Sequence, residues 1–321
     1  MNRRFLSVLW FLSIFVIIGF SEIQAFAEKP FPSKRLTYQI FFDPGGPSDR
    51  EARRQQPLLK RIFGQPVIIE YKIGAGGALG WKEFAKKARA DGHTFAGFNL
   101  PNVILQPMLQ DVGYKTADFE PVALFQRTPL ALIVLKESPI TTLADFVQAC
   151  KADPGKMTVG GSGIFSGAHV SSIQLEKLAD IKLSYIQFTG SAPQMSALLA
   201  GHTEACFANS DDVVRFKDKL RVLAFATEER FFSLPEIPTF KELGYDLVFA
   251  VERGVCVPAK TPKEIVKRLE KVFLEVLHDK NLQEQMRMGG SIPLAMGSEE
   301  TRVHMENLAR FYEDLTVELK K

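Results

Sequence analysis

Leu36-Thr37-Tyr38-Gln39-Ile40-Phe41-Phe42-Asp43-Pro44-Gly45-Gly46-Pro47-Ser48-Asp49 is the stretch on which the fold turns. Residues 36–42 are β-branched, aromatic or otherwise apolar at most positions, the composition of a strand. The run stops at Asp43-Pro44-Gly45-Gly46, a turn sequence, and a helical stretch follows to about residue 63. A strand, a glycine turn and a helix make the repeating unit of an open α/β sheet, where ligands bind beyond the carboxyl ends of the strands. Two glycines let backbone approach a ligand closely. The first N–H groups of the next helix have no internal acceptor and suit an anion. The alternative is a plain turn in which Ser48 caps the helix and Glu51 completes a capping box.

Outward from this unit the same rhythm repeats. Residues 67–71 form the next strand, ended by Gly74-Ala75-Gly76-Gly77. Residues 78–89 follow as a helix and 94–98 as a strand. Met157-Thr158-Val159 leads into a glycine- and serine-rich loop and a helix over 167–178. Residues 183–187 precede a helix at 192–200, and 205–208 and 222–226 are further short strands. Strands alternating with helices of this length imply βαβ units and mostly parallel sheets covered on both faces. The C-terminal third is helical. Thr261-Pro262-Lys263-Glu264 reads as a capping box with Pro at the first helical position. Val266, Leu269, Val272, Phe273, Val276 and Leu277 recur on one face, joined by Ile265. A last helix spans about 298–319. No flexible linker separates the halves, so the apolar runs 121–136 and 247–257 are expected to cross between them as hinge strands.

The N-terminus reads as an export signal. Arg3 and Arg4 precede an apolar run over 5–20, and Ala25-Phe26-Ala27 supplies a small-residue cleavage pattern. The run is short for a membrane span of roughly 20 residues, and no later stretch approaches that length, so the mature chain is expected to be soluble. Cleavage near Ala27 removes two arginines and one glutamate, lowering the formal charge from +3 to +2. That balance argues against nucleic acid or an anionic membrane as the main partner. Cys150, Cys206 and Cys256 match no zinc or redox spacing and read as small core residues.

Several loops can be tested for chemistry. Gly74–Gly80 fails the dinucleotide spacing, because Leu79 stands where the last glycine belongs. No phosphate-binding loop occurs, so no cofactor is expected. Ser162 and Ser166 both miss the G-x-S-x-G pattern of a serine hydrolase. His169 lies three residues from Ser166, but nothing points to a base oriented by an acid. Thr189-Gly190-Ser191 offers further donors after a strand. Asp211 and Asp212 follow Asn209 without a calcium-loop pattern and read as a helix N-terminus. The five histidines are scattered singly, so no metal is expected.

Read in order, Asp43-Pro44-Gly45-Gly46-Pro47-Ser48-Asp49, Gly64-Gln65-Pro66-Val67, Gly74-Ala75-Gly76-Gly77 and Ala90-Asp91-Gly92-His93-Thr94 cover the first half. Gly161-Ser162-Gly163, Ser166-Gly167, His169, Leu198-Leu199-Ala200-Gly201 and Pro258-Ala259-Lys260-Thr261-Pro262 continue the series. It resembles the extracytoplasmic receptors of tripartite tricarboxylate transporters, the Bug-type binding proteins, across nearly the whole mature chain. The resemblance implies an α/β, two-lobed periplasmic binding protein of Venus-flytrap, type II-like form with two crossing strands. It implies domain 1 over 28–126 and 252–321, domain 2 over 127–251, and a monomer that passes a small carboxylate to membrane permease subunits. The ligand would be a di- or tricarboxylate, an acidic amino acid or an aromatic acid. Carried over by position, Phe42, Gly45, Gly46, Ser48 and Asn99, the last following the third strand, would contact it from the first lobe. Ser162, Ser166, His169, Thr189, Gly190 and Asn209 would do so from the second.

The chain also departs from that pattern. Asp43-Pro44 stands where the family usually has Pro-Pro, and an acid beside an anion site must face away or meet a ligand amine. Glu252 and Arg253 stand ahead of Gly254, where aromatics are common. Arg253 facing the cleft would pair with a carboxylate; the alternative is a solvated charge pair at the hinge. Two further readings share the same cleft: an exported hydrolase-like enzyme, and a ligand-loaded partner of a membrane sensor kinase.

Overall fold

In the computed structural model, which describes residues 31–319, strand β1 (Leu36–Ile40) pairs in parallel with β2 (Val67–Tyr71) and β3 (Thr94–Leu100). Four of its five residues are buried, as a strand covered on both faces requires. The covers come from α1 (Pro47–Phe63), α2 (Ala78–Lys87) and α3 (Asn102–Leu109). Helix α1 ends where Gly64 takes a left-handed φ of 65° and its N–H reaches the Lys60 carbonyl, a conformation that glycine adopts without a Cβ penalty. Residues 1–30, on which the export reading rests, lie outside the described residues.

The arrangement recurs after β4 (Phe119–Leu135) and α4 (Leu143–Ala152). Strand β5 (Thr158–Gly161) is flanked in parallel by β6 (Ser184–Gln187) and β7 (Ala205–Asn209), with helices α5 (Gly167–Ala179), α6 (Ser191–Leu199) and α7 (Ser210–Phe216) between and after them. Strand β8 (Leu220–Phe225) then returns to β4.

Strands β4 and β9 (Ala250–Pro258) join the two parallel sets, giving the order β2-β1-β3-β9-β4-β7-β5-β6. The apolar runs expected to cross, 121–136 and 247–257, are these strands to within three residues. Residues 119–129 of β4 pair antiparallel with β9, and 130–135 pair with β7 and β8. The change of partner falls between Pro129 and Leu130, and Pro129 has no N–H to offer a ladder. The sheet is therefore mixed: parallel within each set and antiparallel along the crossing. A large apolar core runs along it, from Phe41 and Trp81 past Leu124 and Leu132 to Val159 and Phe207, and a second cluster gathers Ile133, Met195, Leu198, Val213 and Phe225.

The C-terminal third is α8 (Lys263–Leu277), α9 (Lys280–Met288), β10 (Ile292–Met296) and α10 (Ser298–Leu319). The expected apolar face of α8 is buried at Val266, Leu269, Val272, Phe273, Val276 and Leu277, each contributing roughly 1.5–3 kcal/mol when fully buried. The capping box expected at Thr261 does not form. Pro262 is extended, with ψ 138°, so the helix starts at Lys263, and the Thr261 hydroxyl donates to the Pro258 carbonyl instead. The box that does form joins Thr142 and Asp145 at the start of α4. Cys150, Cys206 and Cys256 are buried free thiols. No described helix is long and apolar enough to cross a membrane.

Candidate functional site

The carboxyl ends of β1, β3, β5 and β7 converge on one cavity. Its walls include Phe42, Asp43, Gly46, Ser48, Asn99, Ser162, Asn209 and Arg253, which arrive from both parallel sets and from the crossing strand β9. The space they enclose is ≈ 20 Å³, about what one water occupies on this measure. Larger hollows exist, such as one of ≈ 430 Å³ lined by Lys34, Lys72, Glu83 and Asp91. That hollow lies away from the strand ends where the two sets meet, and its lysines Lys34, Lys72 and Lys87 are paired with Asp91 and Glu83.

Arg253 is the cavity's one lining cation among the described residues. Its side chain is 2% exposed. One terminal nitrogen donates to the Thr128 hydroxyl at 2.7 Å and the other to Asn209 Oδ1 at 3.1 Å. Its Nε is buried without a partner. Burial lowers the guanidinium pKa, against the pull of Asp211 and Asp212, yet an arginine stays charged in a protein. The charge-pair alternative for Glu252 and Arg253 is thereby replaced. Neighbours on a strand face opposite ways, and Glu252 turns to the other side, binding Arg127 and His304. Burial works against the Glu252 charge, but the His304 hydrogen bond and the Arg127 charge outweigh it and lower its pKa.

The first-strand loop is rigidly held. Gly46 is the N-cap residue and Pro47 opens α1, so Ser48 does not cap the helix. Its hydroxyl instead donates to Asn99 Oδ1 at 3.2 Å. Asn99, expected just after the third strand, is the second-last residue of β3, which runs on to Leu100. Gly45 sits off the cavity wall: its N–H donates to Asp49 at 2.7 Å, and its carbonyl accepts from Arg50 and Arg215. Asp49 also accepts from Arg53 and Tyr71, which completes the brace.

In the second set, Ser162 lines the cavity directly. Ser166 and His169 serve the loop. Ser166 caps α5, accepting from the His169 N–H and donating to the Gly163 carbonyl at 2.8 Å. His169 Nδ1 accepts from the Phe165 N–H, and its ring packs 4.5 Å from that of Tyr185. Burial pushes its pKa down to about 4, so the ring is neutral at pH 7. With the Ser166 hydroxyl and the imidazole both committed to backbone, no nucleophile–base pair forms here. Thr189 lines a neighbouring hollow with Gly76 and Gly163. Gly190 is the N-cap residue of α6, and a Cβ there would stand 2.9 Å from the Asp43 carboxylate.

Two parts of this region, Asn102 and Arg50, carry no signal in the sequence. Asn102 lines the cavity, as does Ser191, one of the donors expected after the β6 strand, and Asn209 Nδ2 donates to the Ser191 hydroxyl. Arg50, from α1, forms ion pairs at 2.8 and 2.9 Å with Asp211 and Asp212 of α7. Asp211 and Asp212 open a helix as expected, but no local pattern marks a partner so distant in sequence. Burial works against the Arg50 charge, and the two aspartates overcome it and raise its pKa. Burial, with Asp211 second, pushes the Asp212 carboxyl up to about 6, against the pull of Arg50.

The Asp212 shift has a definite sign. Between the unfolded value near 4 and about 6, the folded protein holds a proton that the unfolded chain has lost. This group therefore favours the fold at low pH and loses that contribution as pH rises through the window. Arg50→Gln should cost ~3–5 kcal/mol at pH 7, because it leaves two buried carboxylates unpaired. The deficit should shrink at pH 5, where Asp212 takes up a proton. Urea denaturation at both pH values reads the difference.

The architecture is that of the periplasmic binding proteins, an α/β fold of receptors for small solutes. Residues 52–313 match the tripartite tricarboxylate transporter family receptor, and the chain belongs to that family. A Cupriavidus necator relative, the UPF0065 protein in gbd 5'region, is 30% identical over 86% of this chain and 84% of its own. The structure of R. palustris Rpa4515 with adipate is similar with a TM-score of 0.85 and 26% identity, covering 90% of this chain and 98% of that one. MatC from Rhodopseudomonas palustris with bound malate gives 0.84 and 25%, covering 89% and 100%. The chain is thus a solute-binding receptor rather than an enzyme.

Proposed function

We propose that this receptor captures a small carboxylate at the strand-end cavity and delivers it to the permease subunits of a tripartite transporter. The buried Arg253 carries the reading: it is a fixed cation with a free Nε, set among hydroxyls and amides where two parallel sets meet. Adipate and malate in the similar structures favour the same chemistry. Phe42, Gly46, Ser48, Asn99, Ser162, Asn209 and Arg253 contact the ligand, while Gly45, Ser166, His169, Thr189 and Gly190 hold the loops around it. Domain 1 comprises 28–126 and 252–321, domain 2 comprises 127–251, and β4 and β9 act as the hinge. An opening about that hinge enlarges a cavity that would otherwise admit little more than water. The chain works in the periplasm as a monomer after cleavage near Ala27.

A thermal-shift screen of the purified protein tests this reading. Ligands that bind only the folded state raise stability by roughly 2.7 kcal/mol at 100 times Kd. Mono-, di- or tricarboxylates, with or without an amino group, should raise Tm. Stabilisation by sugars, nucleotides or simple cations alone would contradict the proposal, as would turnover of the stabilising compound.

A further inference from the structure

Resting on that carboxylate reading, the geometry points to a narrower ligand class: a carboxylate that also carries a protonated amine, with Asp43 as the residue that selects it. Two orphaned polar groups belong to side chains that line the same cavity. Arg253 Nε is a buried donor without an acceptor, and Asp43 Oδ2 is a buried acceptor without a donor. A polar atom left in that state costs free energy unless a guest satisfies it. The guest that satisfies both presents an anion to Arg253 and a donor to Asp43.

Charge counting leads the same way. Asp43 and Arg253 are the ionisable side chains in the cavity wall, and their charges cancel. Behind Arg253 stand Asp211 and Asp212 with Arg50 between them, a layer with one negative charge in excess. A dianion entering this wall meets one cation already balanced by Asp43. An α-amino acid brings its own cation to Asp43 and leaves the wall balanced. A hydroxyl would also donate to Asp43, but an ammonium adds to its hydrogen bond the attraction of opposite charges, which is stronger in a desolvated site than in water.

The position of Asp43 fits a selecting role. It belongs to the first-strand loop, yet its Oδ2 reaches Gly190 at the start of α6 in the other set, where a Cβ would stand 2.9 Å away. The carboxylate therefore lies on the seam that closure brings together, and a ligand ammonium there contacts both sides. Gly190 leaves the room that this approach needs.

Isothermal titration of matched compounds at pH 7 tests the assignment. Succinate, malate and aspartate share one skeleton, and butyrate and 2-aminobutyrate share another. At least one amine-bearing compound should bind about tenfold or more tighter than its amine-free counterpart, the scale expected for one ligand charge meeting a desolvated partner. Malate should fall between succinate and aspartate. Asp43→Asn, which keeps the shape and removes the charge, should erase most of the amine preference. Amine-free compounds that bind the wild type as well as their amino counterparts would overturn the assignment and leave the carboxylate reading standing. An amine preference that survives in Asp43→Asn would also overturn it. If butylamine binds and no carboxylate does, the carboxylate reading itself falls. Should Asp43→Asn fail to fold, the wild-type comparison alone still decides.

Discussion

Arg253→Met is expected to weaken carboxylate binding by roughly 30-fold or more, since removing one partner of a buried charge contact costs ~2–5 kcal/mol. The side chain is 2% exposed and already fixed by Thr128 and Asn209, so little ordering remains to be done when a ligand arrives. Methionine preserves bulk but donates no hydrogen bond. The fold should also weaken, because Thr128 and Asn209 lose a donor and Asp211 and Asp212 lose a compensating charge. Calorimetric titration and thermal melting on the same sample separate the two effects. Arg253→Lys is expected to bind with intermediate strength, keeping the charge without the planar fork. An unchanged affinity in Arg253→Met would remove this residue from the site.

Gly254→Ala, one residue further along β9, should be among the most destabilising single-methyl changes in the chain. A Cβ there would stand 2.2 Å from the Phe98 ring and 2.6 Å from the Ala123 carbonyl. The Ala123 carbonyl is backbone of the neighbouring β4 and cannot retreat without disturbing sheet pairing, and the Phe98 ring, from the residue paired with Gly254 across β3–β9, is fully buried and has little room to turn. Overpacking of this kind costs about 3 kcal/mol at the upper end of its usual range. The urea midpoint should fall while the slope stays constant. A loss below about 1 kcal/mol would mean that the crossing strands yield more easily than their packing implies. The glycine also explains how Arg253 is placed: a close approach of β3 and β4 holds the strand that carries the guanidinium.

Much of the fold is legible because its signals are local. Residues 36–42 and 157–159 are apolar runs stopped by glycine turns, and both sit at the centre of a parallel set. The crossing strands show as long apolar runs at 121–136 and 247–257. Proline hid other elements. Pro107 lies inside α3, and Pro293 lies inside β10, where pairing with β4 overrides its poor strand propensity. Thr261 misled for a related reason, since an extended Pro262 delays the helix by one residue.

The site divides along similar lines. Gly46, Ser48, Ser162 and Asn209 are legible because donors at the carboxyl ends of strands must gather at one edge of the sheet. Arg253 needed the strand alternation that turns it inward and Glu252 outward. Ser166 and His169 carry the right donors in the right loop, yet local hydrogen bonds to Gly163 and Phe165 consume them. Arg50 and its aspartates are separated by some 160 residues, and no spacing rule spans that distance. Asp43 stood out only as an acid where an anion was expected, and its meaning depends on where Oδ2 points.

The most direct test of the central claim is a crystal structure of the protein with its best-stabilising carboxylate. Ligand density should lie between Arg253 and the loop that carries Gly46 and Ser48, with a carboxylate oxygen within hydrogen-bonding distance of the guanidinium. Density in the hollow lined by Lys34, Lys72 and Asp91, with Arg253 left uncontacted, would contradict the account.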